Sequence, residues 1–179
     1  MTFIQSRFSR ILAGAALLSV CLTSLSPAAN SVPLSGPAPE IISDTWLNSS
    51  PKPMSGLRGK VVLVEFWTFE CWNCHNVEPY IKQWHQRYRD AGLEIITVHA
   101  PEFDRERDPA NVRAYIDKAG IEYAVAIDND FSNWNRYHNR FWPTLYLIDK
   151  HGMLRYSKIG EGGYAETEQR IQALLREAE

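Results

Sequence analysis

Seven consecutive residues, Val61-Val62-Leu63-Val64-Glu65-Phe66-Trp67, form an apolar run interrupted only by Glu65. β-branched and aromatic side chains without polar alternation mark a strand covered on both faces, as at the centre of a parallel or mixed sheet. Cys71-Trp72-Asn73-Cys74 follows shortly after, and then Val77, Ile81, Trp84 and Tyr88 recur at helical spacing up to the helix terminator Gly92. Strand, cysteine pair and helix in direct succession set the first cysteine beside the unpaired amides of a helix N-terminus.

Downstream the pattern keeps alternating. Residues 93–98 read as a second parallel strand, 111–119 as a crossover helix ended by Gly120, and 123–127 as a further strand. Asp130 is placed to cap a short helix carrying Phe131, Trp134 and Tyr137. Thr144–Ile148 and Leu154–Ile159 read as a hairpin around Lys150-His151-Gly152, and 165–178 as a terminal helix. Ahead of the central strand, Pro33, Pro37, Pro39, Pro51 and Pro53 exclude a long helix. There Thr45-Trp46-Leu47 and Lys52-Pro53-Met54 read as a short hairpin at a sheet edge, where proline's missing donor is tolerated. The expected class is α/β, a central mixed sheet flanked by helices, with an N-terminal extension.

The first 28 residues differ in kind. Arg7 and Arg10 precede an apolar run from Ile11 to Leu25, followed by Ser26-Pro27-Ala28-Ala29, the layout of a secretory signal. The run is shorter than the roughly 20 residues of a membrane span. Cleavage near Ala28 is therefore expected, with an uncleaved anchor as the alternative. Residues 29–37 then read as a tether and 38–179 as one domain, a size that a single core serves. With 45% hydrophobic residues, 22% charged and a net charge of -2, the composition is that of a soluble globular protein and offers nucleic acid no basic surface.

The chain has three cysteines, and removal of the signal takes Cys21 with it. Two cysteines three apart in an exported protein cannot form a framework of structural bridges, so they read as a local redox pair. Helix amides favour the Cys71 thiolate as nucleophile, and Cys74 can resolve the mixed disulfide that results. Glu65, a carboxylate inside an apolar strand, is placed to take and return the Cys74 proton; an exposed strand residue is its other reading. Glu70 reads as a solvated neighbour, Trp72 as an exposed substrate contact or a ring packed under the loop, and His85 and His138 as helix-surface residues.

Three rival chemistries meet obstacles in the sequence. Cys71-Trp72-Asn73-Cys74-His75 fits covalent c-type haem attachment, yet these cysteines follow a buried strand, and the distal-ligand candidates Met54 and Met153 lie in the lead-in and the hairpin. Thr68, three before Cys71, matches the activating threonine of peroxiredoxins, but Val64 stands where that family has proline. Zinc lacks a second ligand pair at the right spacing, and Asp128-Asn129-Asp130 reads as a turn leading to a helix cap rather than a calcium loop. No metal and no cofactor beyond the Cys71–Cys74 disulfide is expected.

Several positions together resemble the thioredoxin superfamily, and within it the exported TlpA/ResA-like branch. Val64-Glu65-Phe66-Trp67 sets an acid six before the first cysteine, Pro79 lies five after the second, and Trp142-Pro143-Thr144 leads into a strand. The run from Phe66 to Cys74, then His99-Ala100-Pro101-Glu102-Phe103 and Gly160-Glu161-Gly162-Gly163-Tyr164, are most similar to the thioredoxin-like domain of DipZ-type proteins. The resemblance implies a thioredoxin fold over residues 38–179 and catalysis by Cys71, Cys74 and Glu65. It also implies a cis Trp142–Pro143 bond and substrate contacts from Trp72, Trp142 and Pro143. Implied partners are protein thiols or disulfides and a membrane electron donor of the DsbD/CcdA type, in a periplasmic or otherwise exported setting, serving apocytochrome or general disulfide reduction. Asn73 departs from the proline common in TlpA/ResA relatives. With Glu70 and Glu65 near the pair, negative charge opposes thiolate formation, and the dithiol is expected to act as a reductant.

Overall fold

The computed structural model describes residues 36–178; the expected signal and most of the tether lie outside them. The sheet contains β1 (Trp46–Leu47), β2 (Val61–Trp67), β3 (Leu93–His99), β4 (Ala124–Ile127), β5 (Thr144–Ile148) and β6 (Leu154–Ile159), in the order β1-β4-β3-β2-β5-β6. Four helices accompany it: α1 (Trp72–Tyr88), α2 (Pro109–Ala119), α3 (Ser132–Arg136) and α4 (Tyr164–Arg176). β2, β3 and β4 are mutually parallel, while β5 is antiparallel to β2, β6 to β5 and β1 to β4. This is the mixed sheet with flanking helices that the sequence pattern implies.

Every residue of β2 is buried, because both faces of the strand are covered. Val61, Leu63 and Trp67 pack with Val77, Ile81 and Trp84 of α1, Val112 and Ile116 of α2, and Ile171 and Leu174 of α4. Val62, Val64 and Phe66 face the other way, into a core completed by Ile96, Val98, Tyr146, Ile148 and the N-terminal residues Ile41, Met54 and Leu57. The N-terminal extension thus roofs the second face, and each large side chain so buried contributes roughly 1.5–3 kcal/mol. Gly36 and Pro37 already run beside the sheet, with Gly36 accepting the Leu154 N–H at 2.8 Å.

Two local expectations need correction. Residues 52–54 do not pair with β1. Met54 opens a 3-10 turn, Met54–Leu57, its N–H donates to Glu40 at 2.7 Å and its side chain is buried. Pro51 and Pro53 have no N–H to give a ladder, and β1 instead pairs at the sheet edge with Val125 and Ala126 of β4. The second correction concerns α3. Its first-turn amides at Asn133 and Trp134 donate to the two oxygens of buried Asp128, both at 2.9 Å, whereas Asp130 accepts only from Ser132, at 3.0 Å.

Asn133 extends that arrangement to the extension. Fully buried, it accepts the Ile42 N–H at 2.8 Å, donates to the Ile42 carbonyl at 2.7 Å and donates to Asp128 at 3.0 Å. One side-chain amide therefore binds the extension to α3 as a strand partner would. Asn133→Ala leaves those groups unpaired, and at about 1–3 kcal/mol per buried polar group it is expected to cost about 2 kcal/mol in urea unfolding with the slope unchanged. A loss below about 0.5 kcal/mol, the range of ordinary surface substitutions, contradicts this role.

Candidate active site

Cys71 and Cys74 form a disulfide with their Cα atoms 5.2 Å apart, where β2 has ended and α1 begins. Cys71 is the N-cap of α1, in extended conformation, and its Sγ accepts the Cys74 N–H at 3.2 Å. The two sulfurs are unequal: Cys71 is half-buried at the rim, Cys74 only 3% exposed in the core. A partner can reach Cys71 alone. An amide bond to its sulfur and the helix dipole favour negative charge there.

Glu65 lies beneath this junction. Its side chain is on the α1-facing side of β2, in register with Thr97 on β3 and Leu145 on β5, and it is 4% exposed. Burial, with a smaller contribution from the Glu78 carboxylate, pushes its pKa up to about 8. Glu78 stands one turn beyond Cys74 on α1, accepting from the Tyr115 hydroxyl and from Lys82, each at 2.6 Å. An acid in this apolar strand is tolerated because its proton keeps it neutral.

The segment leading to Cys71 is fixed by a second buried acid. Glu106, with no exposed surface, accepts the backbone N–H groups of Glu70 at 2.9 Å, Glu102 at 2.6 Å and Phe103 at 2.8 Å. Glu70 is not the freely solvated neighbour expected, since its carboxylate pairs with Arg105 and is largely covered. Phe103 thereby lines one groove of about 400 Å³ together with Cys71, Trp72, Phe141 and Trp142. Trp72 is 75% exposed, so it does not pack under the loop; Phe141 and Phe103 are 55% and 50% exposed.

The Trp142–Pro143 peptide bond is cis. The Trp142 ring belongs to the scaffold: its Nε1–H donates to the Ala100 carbonyl at 3.0 Å and its ring centroid lies 4.4 Å from that of Trp134. The Phe141 carbonyl accepts from Thr144 Oγ1 at 2.8 Å and from Asn139 Nδ2 at 3.1 Å, so this turn is held on its inner side. Phe103 and Phe141 were not singled out by sequence reasoning. Their signal was position, Phe103 in the His99–Phe103 segment and Phe141 directly before Trp142.

The residues on which the rival readings rest have partners of their own around this junction. Thr68 is fully buried with its hydroxyl 3.2 Å from His99 Nε2, and burial pushes the His99 pKa down to about 4. His75 Nε2 is 2.7 Å from the Phe69 carbonyl and its ring stacks on Tyr115. The two sulfurs that haem attachment would use are bonded to each other. His85 is half-buried against Tyr123, and burial lowers its pKa; His138 is exposed just beyond α3. Among the described residues, no three His, Cys, Asp or Glu side chains converge as metal ligands, and no helix is long and apolar enough to cross a membrane.

A model of the AhpC/TSA family matches residues 37–157, most of the described chain. The chain belongs to the AhpC/TSA family. Among relatives of this AhpC/TSA-family chain, DipZ of Mycobacterium tuberculosis is 44% identical over 147 residues, covering 80% of this chain but 21% of that protein. The chain thus spans about a fifth of the length of DipZ. The thiol-disulfide oxidoreductase YkuV of Bacillus subtilis is 27% identical over 144 residues, 80% of this chain and 97% of that one. The solution structure of a thioredoxin-like protein in its oxidised form superposes with a TM-score of 0.73 at 28% identity, covering 81% of this chain and 98% of the other. The fold is thioredoxin-like, and one of these relatives, YkuV, is named a thiol-disulfide oxidoreductase.

The raised pKa of Glu65 has a measurable sign. Unfolded, the carboxyl titrates near its ordinary 4.5; folded, near 8. Between those values the folded protein holds a proton that the unfolded chain has released, so stability falls as pH rises, by up to about 1.4 kcal/mol per unit. The urea midpoint of the oxidised protein is expected to drop from pH 5 to pH 8. Glu65→Gln, neutral throughout, is expected to lack that part of the fall and to exceed the wild type at pH 8. Parallel profiles for the two proteins contradict the burial of a neutral acid.

Proposed function

We propose that the protein is an exported thiol-disulfide oxidoreductase that reduces disulfides of protein substrates through Cys71 and Cys74, with no cofactor beyond that pair. The observation that carries this reading is the inequality of the two sulfurs: Cys71 at an open groove and helix N-cap, Cys74 buried on the side of Glu65. In the dithiol form the Cys71 thiolate attacks one sulfur of a substrate disulfide, and the other substrate sulfur leaves as a thiolate and is protonated. Cys74 then loses its proton and attacks Cys71 Sγ, expelling the second substrate thiol and closing the Cys71–Cys74 bond. Two electrons pass from the dithiol to the substrate.

Glu65 is the proton partner for Cys74. With its pKa near 8 the carboxyl works close to neutral pH, where a general acid-base group exchanges protons most effectively. Trp72, Trp142 and Pro143 are the substrate contacts, Trp72 by its exposed ring and Trp142 by its backbone, since its side chain is engaged with Ala100 and Trp134. The Arg7 and Arg10 start with its apolar run supports export. The likeness to one part of DipZ supports a membrane electron donor of the DsbD/CcdA type to regenerate the dithiol.

The order of attack is open to direct test with insulin as the disulfide probe. Cys74→Ser is expected to retain mixed disulfides through Cys71, visible by mass under non-reducing conditions, whereas Cys71→Ser retains almost none. Equal trapping by Cys71→Ser with none by Cys74→Ser reverses the assignment.

A further inference from the structure

Lys158 is a buried ammonium that the exchange chemistry leaves unused. It lies on β6 in register with Leu145, which is in turn in register with Glu65, so all three occupy the sheet face that also holds Cys74. Only 7% of the residue is exposed. Its Nζ is held by backbone carbonyls: Ile159 at 2.7 Å, Glu161 at 3.0 Å and Gly160 at 3.4 Å. Burying an ammonium costs several kcal/mol unless its donors are satisfied, and these carbonyls satisfy it. Gly163 completes the enclosure. Its φ is +65°, and a Cβ there would lie 2.8 Å from Lys158 Cε, so the glycine serves both the turn and the close approach of the lysine stem.

The loop gathered in this way touches both halves of the active site. The Gly160 N–H donates to the Pro143 carbonyl at 2.8 Å. The Glu161 carboxylate accepts from Asn76 Nδ2 at 2.7 Å, and Asn76 lies in the first turns of α1, two residues after Cys74. Directly after the loop, the Tyr164 hydroxyl donates to the Asn76 carbonyl at 3.3 Å and its ring stacks on Tyr80. Without the ammonium, three carbonyls that converge on one point have no common donor, and the loop loses the charge that orders it.

We infer that Lys158 is a positioning residue for protein substrates, drawing the Ile159–Glu161 carbonyls together so that the loop holds the Pro143 turn against the start of α1 beside Cys71. The inference rests on the disulfide-exchange reading. Sulfur chemistry itself does not need the loop, because the amide that bonds Cys71 Sγ comes from α1. Lys158 therefore acts on a substrate long enough to lie along Trp142 and Pro143, and not on a small disulfide that meets Cys71 alone.

The test compares two disulfides on the full chain, with dithiothreitol as electron source: insulin, and a small aromatic disulfide that releases a coloured thiol. Lys158→Met keeps the stem and removes the donors. Its KM for insulin is expected to rise about tenfold, the size of one well-made contact, with kcat and the small-disulfide rate close to the wild type. Gly163→Ala, which displaces the stem, and Glu161→Ala, which cuts the loop from Asn76 at an exposed site, are expected to raise KM in the same direction and serve if Lys158→Met fails to fold. An unchanged insulin KM in the folded variants overturns the assignment. So does an equal loss with both disulfides, which marks a structural role only. A wild type that reduces neither disulfide refutes the exchange reading instead.

Discussion

The site depends on holding a carboxylic acid inside the central strand. All seven residues of β2 are buried, and Glu65 is kept there by carrying a proton rather than by finding a cation, because Leu145 is its strand neighbour on one side and Thr97 on the other. An acid in that state tolerates little additional negative charge nearby. Cys74 belongs to the same core cluster, so its thiol and the Glu65 carboxyl share a low-dielectric space in which two negative charges are costly. On the proposed exchange reading, proton and electron movement at the pair are coupled for that reason.

Rigid elements and short polar connections divide the remaining work. β2 and α1 set the two sulfurs in place, and buried polar hubs fix the segments around them. Glu106 gathers three backbone amides ahead of Cys71, Asp128 and Asn133 bind the extension to α3, and Lys158 gathers the carbonyls of the loop that meets Pro143. Each hub is one side chain serving several polar groups; Glu106 and Asn133 also join segments distant in sequence, whereas Lys158 gathers the next three carbonyls. Of the large apolar side chains left exposed among the described residues, Trp72, Phe103 and Phe141 line the groove at Cys71, and Ile42, Met153 and Ile159 lie elsewhere.

Local periodicity made much of this legible. The unbroken run of β2, the helical spacing of Val77, Ile81 and Trp84, Gly120 ending α2 and Gly92 closing the 3-10 turn that follows α1 depend on near neighbours alone, and they locate the cysteine pair at a strand-to-helix junction. The missed features depend on distant partners. Trp46 and Leu47 pair with β4, some eighty positions onward, while Pro51 and Pro53 have no N–H to give a hairpin ladder. Glu70 meets Arg105, and Glu106 reaches back to the Glu70 amide, contacts for which sequence spacing carries no signal. Lys158 differs, since its partners are the next three carbonyls, and their convergence depends on the left-handed glycine turns of the loop.

Charge around the pair decides the direction of electron flow. Reducing the disulfide leaves a Cys71 thiolate beside the amides at the N-terminus of α1, which favour it, and a Cys74 sulfur in the core with Glu65, where a second negative charge is costly. The Glu70 charge is offset by Arg105, and His75 is tied to the Phe69 carbonyl and the Tyr115 ring. On the proposed reading this balance favours the closed disulfide and makes the dithiol a donor of electrons. Equilibration of the purified protein against glutathione buffers at pH 7 tests this most directly. A potential nearer the about -270 mV of thioredoxin than the about -120 mV of DsbA is expected, and a value above roughly -180 mV, where protein disulfide isomerase lies, would contradict it.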